Sequence, residues 1–137
     1  MAIALRILTV ATFFLGLGLF TGTVGGELWR GLHLLFGVGI VILAILVLGP
    51  WARGAATAGV MGRIAWWSPL VAIALGLLLS RFVPMSTLVD FDPALIRTIH
   101  IIVGIAVVGL IEIALGQMRR AANKAEQSQE GTPDTTA

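Results

Sequence analysis

Glu27-Leu-Trp-Arg30-Gly-Leu-His33-Leu-Leu-Phe-Gly37-Val-Gly-Ile-Val-Ile-Leu-Ala-Ile-Leu-Val-Leu48 sets one histidine at the head of a long apolar run. From Gly31 to Ala52 the imidazole of His33 is the only ionisable side chain. A stretch of this length and composition crosses a bilayer as a helix, because hydrocarbon leaves backbone amides no partner but one another. The pattern then repeats. Arg30–His33–Gly37 has the spacing Arg-x-x-His-x-x-x-Gly, and Arg97–His100–Gly104 has it again. These are the two histidines of the chain, each near the start of its apolar run. An ionisable side chain inside a membrane segment is expensive, and it is a functional candidate for that reason.

Working outward, four apolar blocks appear: Ile3 to Gly22, Leu32 to Leu48, Ile64 to Leu79, and Ile96 to Leu115. The chain has 137 residues, 58% of them hydrophobic and 12% charged, with a mean hydropathy of +1.00. These values predict an all-α integral membrane protein, a four-transmembrane-helix up-down bundle. Residues 1–118 are expected to form the bundle and 119–137 a disordered polar cytoplasmic tail. The pI near 10.5 comes from scattered arginines, and no basic run long enough to track phosphates exists, which argues against nucleic acid as a partner. The first block has the arginine and apolar stretch of a signal peptide but no clear small-x-small cleavage site before Glu27, so it is read as a retained span. The chain lacks cysteine and tyrosine, which removes disulfides, thiolate-held metals, covalent haem attachment and tyrosinate ligation.

Basic residues set a direction. Arg6, Arg53, Arg63, Arg119, Arg120 and Lys124 flank one side of the predicted bundle, and Arg30, Arg81 and Arg97 flank the other. That excess places both termini in the cytoplasm and the histidines toward the outer face. Trp29 marks the outer interface, and Trp51, Trp66 and Trp67 the inner one. Asp92-Pro93 has the form of an N-cap and first helical residue. Pro50 and the Gly/Ala-rich Gly54–Gly62 stretch are expected to end the second span and connect to the third, and Pro84–Phe91 to form the longest outer connection.

The repeat also reads as two hairpins. Arg6-Ile7 and Arg63-Ile64 open the odd spans, and the Arg/His/Gly triplets open the even ones. A parallel repeat sets His33 and His100 at equal depth on two helices running the same way. That is the arrangement required of two axial ligands on one haem. Arg30 and Arg97 lie one turn nearer the outer surface, where a guanidinium suits a porphyrin propionate. Gly37 and Gly104, one turn deeper, would let the macrocycle edge approach the backbone, with Phe36, Ile40, Val103 and Val107 as apolar walls. The competing readings are histidines that merely hydrogen-bond between helices, or another metal, for which no further ligands stand at that depth. Glu112 lies twelve residues beyond His100, about 120° round the helix. It is expected to pair with Arg6, Arg53 or Arg63, with a proton-relay or quinone-site role as the alternative. Gly16-Leu-Gly18 suggests tight packing of the first span, Phe13 and Phe14 core or lipid contacts, and Met85 a remote alternative ligand.

Glu27-Leu-Trp-Arg-Gly-Leu-His33 with its apolar continuation resembles the opening of a ligand helix of haem A synthase. Ile96-Arg-Thr-Ile-His100 resembles the second ligand helix of the same four-helix unit. The chain is similar to one half of that enzyme and, more loosely, to membrane cytochromes of the b-561 kind, over roughly residues 1–118. The resemblance implies His33 and His100 as iron ligands to one haem b, with Arg30, Arg97, Gly37 and Gly104 around it. It implies electron transfer with a quinol or an outer-face redox protein, in a bacterial inner membrane. Haem A synthase is a double unit with two sites, whereas this chain has one histidine pair, so catalytic haem modification is not implied. A non-redox accessory or assembly subunit of a larger membrane complex, and a small four-span transporter using Glu112, are the rival functions.

Topology is directly testable because no native cysteine interferes. In intact cells, Gly25→Cys should react with a membrane-impermeant maleimide, and Thr135→Cys only after permeabilisation. The reverse pattern would invert the assignment.

Overall fold

The computed structural model describes residues 1–54, 59–79 and 92–130. Expectations for Arg81, Met85, Asp90 and the Pro84–Phe91 connection lie outside these residues. Four helices follow in order: α1 (Ala2–Thr21), α2 (Glu27–Gly54), α3 (Gly59–Leu79) and α4 (Pro93–Glu130). All four are long and apolar enough to cross a membrane. The all-α four-helix architecture expected from the sequence is the one observed.

The helix ends have local causes. Gly22 takes a left-handed φ of 76° after α1, and the Val24 amide donates to the Gly18 carbonyl at 3.3 Å. Such a conformation is costly for any side chain but glycine's hydrogen. Asp92 caps α4 as its position suggests, its Oδ1 accepting from the Ala94 amide at 2.9 Å.

Two boundaries differ from expectation. Pro50 does not end α2, which runs a further turn to Gly54. Pro50 removes only one backbone bond from the helix, and beyond it Arg53 Nε donates to the Gly49 carbonyl at 3.0 Å. α4 likewise continues through Glu130, so residues 119–130, expected as tail, are helical. Ala121, Ala122, Lys124, Ala125 and Glu126 are all strong helix formers, and they carry α4 past its apolar stretch.

Each helix packs against its neighbours in sequence, and α1 closes the ring against α4, leaving α2 and α4 on a diagonal. The tightest packing is a cluster of Leu5, Ile40, Ala44, Leu48, Ala65 and Ile111, with Val107, Ala114 and Leu115 around it. This cluster draws on the start of α1 and α3 and the later part of α2 and α4, so it occupies the end of the bundle away from the histidines. Buried Thr9 and Thr12 return their hydroxyls to the Leu5 and Leu8 carbonyls, at 2.7 Å each, which satisfies them without a partner helix.

Glu112 pairs with Arg6 at 2.8 Å, the side chains 44% and 39% exposed. This is one of the pairings expected of it, and it ties α4 to α1. A double-mutant cycle with Arg6→Met and Glu112→Met, read by thermal unfolding in detergent, should give a coupling of about 0.5–1.5 kcal/mol, the range of polar contacts between membrane helices. No coupling would mean that the pair does not help to close the bundle.

Candidate functional site

His33 lies two turns into α2 and His100 two turns into α4. Because these helices are parallel and diagonal, the two imidazoles meet across the bundle. Their ring centroids are 6.1 Å apart and their planes cross at 79°. Metal–imidazole bonds of about 2 Å on either side of one ion, with roughly 1 Å more from each nitrogen to its ring centre, separate two trans imidazoles by about 6 Å. The spacing therefore fits ligation of one centre from opposite sides.

Each ring rests on the preceding helix, at a glycine. A Cβ on Gly16 would lie 2.7 Å from Cε1 of His33, and a Cβ on Gly76 would lie 3.2 Å from Cε1 of His100. One turn before each glycine, a backbone carbonyl faces the same ring: that of Thr12 beside His33 and that of Ala72 beside His100. Nδ1 of each histidine is buried and has no partner in full hydrogen-bond geometry. An orphaned imidazole nitrogen in an apolar setting costs about 1–3 kcal/mol, which ligation and a tightened bond to the carbonyl would recover.

The other expected residues divide. Gly37 faces Ile73 of α3, where a Cβ would be 3.8 Å from Cδ1, and Gly104 faces Phe13 of α1, where it would be 4.0 Å from Cδ2. These glycines therefore border the neighbouring odd helices one turn below the imidazoles. Arg30 binds Glu27 at 3.0 Å on the exposed start of α2, and Arg97 is exposed on α4. Neither guanidinium contacts a histidine in the described structure. Of the proposed apolar walls, Ile40 and Val107 belong to the buried cluster, while Val103 packs against its edge.

These contacts fix the internal repeat. Phe13 and Gly16 of α1 correspond to Ile73 and Gly76 of α3, a shift of 60 positions, while His33 and Gly37 correspond to His100 and Gly104, a shift of 67. The Arg6-Ile7 and Arg63-Ile64 matching is 57 apart, so it misses the structural register by one turn. Three residues bring a helix back to nearly the same face, which is why that matching looked plausible. Gly76 was not singled out by the sequence, and Gly16 was read only as a packing position. The signal that finds both is the repeated tripeptide Leu15-Gly16-Leu17 and Leu75-Gly76-Leu77.

Burial changes sharply at this level. Among the described residues, every buried one lies on the far side of the histidines: Thr12 and earlier in α1, Ile40 and later in α2, Pro69 and earlier in α3, and Val107 and later in α4. The histidine end is lined by half-buried groups, including Leu32, Phe36 and Val103. Among the described residues, no three His, Asp or Glu side chains converge. Among the described residues, the two imidazoles are fewer side-chain ligands than an ion held by protein alone takes. A porphyrin brings four equatorial nitrogens of its own and needs from the protein only the two axial ones.

No protein family, curated protein or solved structure matches the chain. The functional reading therefore rests on residues and geometry.

Proposed function

We propose that this protein is a membrane-embedded single-haem b-type cytochrome, with His33 and His100 as axial ligands to one haem b per chain. The observation that carries the reading is the 6.1 Å approach of two imidazoles across the α2/α4 diagonal. Nδ1 of each histidine is buried, and in this reading Nε2 is the ligating nitrogen. Bound haem supplies a one-electron couple, and the two histidines fill both axial positions, which favours electron transfer over oxygen chemistry.

The surrounding residues have separable tasks. Arg30 and Arg97 are assigned to the propionates, Arg30 by exchanging its contact with Glu27 for a second carboxylate. Gly37 and Gly104 keep the level beneath the imidazoles narrow enough in side-chain volume for a planar group. The buried cluster at the opposite end holds the helices in register and excludes water from that side. The exchange partner is a quinol within the bilayer or a redox protein at the histidine end. In this reading the protein lies in a bacterial inner membrane, with both termini cytoplasmic and the histidine end outward. The Arg6–Glu112 ion pair at 2.8 Å gives Glu112 a structural partner, which weighs against the transporter alternative.

Purified protein, supplemented with haemin during expression, should show the Soret and α bands of low-spin b haem on reduction. His33→Ala and His100→Ala should each abolish the low-spin signature. Imidazole planes crossing at 79° should also give the oxidised protein a low-spin paramagnetic resonance signal dominated by one large-g feature, since near-perpendicular ligand planes leave two iron d orbitals almost degenerate. A colourless wild-type protein, or spectra unchanged in both variants, would overturn the reading and favour an accessory subunit.

A further inference from the structure

The two histidines are not alone in recurring at matched positions. Gly16 and Gly76 stand at equivalent points of α1 and α3, and each is the residue on which an imidazole edge rests. In a helix the carbonyl of residue i points toward the amide of residue i+4. The Thr12 carbonyl therefore points at Gly16, and the Ala72 carbonyl at Gly76. A carbonyl oxygen has two lone pairs, so it can serve its own helix and accept a second donor from the side. A side chain at residue i+4 crowds that lateral approach for a donor from a neighbouring helix, and a glycine there leaves it clear.

We infer that Gly16 and Gly76 are the positioning residues of the two axial imidazoles. Each leaves a Cβ-free seat for the Cε1 edge and uncovers the carbonyl one turn earlier as the acceptor for Nδ1–H. The inference rests on the haem reading and deepens it. A ring held this way has its tautomer and rotation fixed, with Nε2 unprotonated for iron. Outer contacts of this kind orient a metal ligand and raise its basicity. The two seats differ in stringency: a methyl group on Gly16 falls 2.7 Å from the ring, inside any tolerable contact, whereas on Gly76 it falls at 3.2 Å. The His33 seat is therefore the less forgiving.

The same interface supplies the control. A Cβ on Gly39 would lie 2.9 Å from Cδ2 of Leu8, so Gly39→Ala also wedges α1 from α2 but touches no histidine. The variants Gly16→Ala, Gly76→Ala and Gly39→Ala are purified in full length. Histidine ring resonances are recorded by NMR in haem-free protein, and haemin titrations follow. Gly16→Ala should move the His33 ring resonances and weaken haemin binding by about 10–100-fold. Gly76→Ala should do the same to His100 to a smaller degree. Gly39→Ala should lower the melting temperature while leaving ring resonances and haemin binding at wild-type values. If Gly16→Ala does not accumulate, Gly76→Ala, with its milder contact, decides. Unchanged ring resonances and haemin binding in the glycine variants, or an equal loss in Gly39→Ala, would reduce these glycines to packing positions. Wild-type protein that takes up no haemin would instead sink the cofactor reading, and the haem-free resonances would still report whether the glycines seat the rings.

Discussion

Hydrocarbon offers no hydrogen bond, and most of this structure follows from that single deprivation. It makes all four spans helical, since only a helix satisfies every amide within one segment. It folds the Thr9 and Thr12 hydroxyls back onto their own helix. The imidazoles of His33 and His100 each keep one buried nitrogen without a full partner, as do Arg6 Nε and the indole nitrogens of Trp51 and Trp66.

Packing is uneven along the bundle. The cluster around Leu5, Leu48, Ala65 and Ile111 closes one end of the bundle, and the Arg6–Glu112 pair fastens α1 to α4. Fully buried residues stop at the level of the histidines. Small-to-large complementarity thus fixes the helices from one end and leaves the other in looser contact. With this division, an adjustment at the histidine end does not disturb the packed half.

The internal repeat is strict around the two histidines and relaxed elsewhere. Gly16 and Gly76, His33 and His100, and Gly37 and Gly104 are paired in both sequence and space. By the same register, Leu8 seated on Gly39 corresponds to Ser68 and Ala106, and there the interface opens into an apolar groove of about 490 Å³ between α3 and α4. Arg6 and Glu112 correspond to Trp66 and Ile45, so the ion pair has no mirror image. A two-fold arrangement suits a planar group with two equivalent faces, and nothing requires the rest of the bundle to obey it.

The chain of residues alone determined the membrane spans, their number, the cap at Asp92 and the two histidines as ionisable groups within spans, because these follow from apolar length, local turn chemistry and the cost of an imidazole in lipid. Helix ends were less legible: Pro50 and the segment after Met118 each depend on a balance between a local breaker or polar composition and helix propensity. Only the tertiary structure decided that α2 and α4 lie on a diagonal, that their imidazoles approach within 6.1 Å, and that the seats beneath them are Gly16 and Gly76. Those relations arise from how separate helices pack, and a glycine states only that a side chain is missing. What occupies the space it leaves is settled by the neighbouring helix.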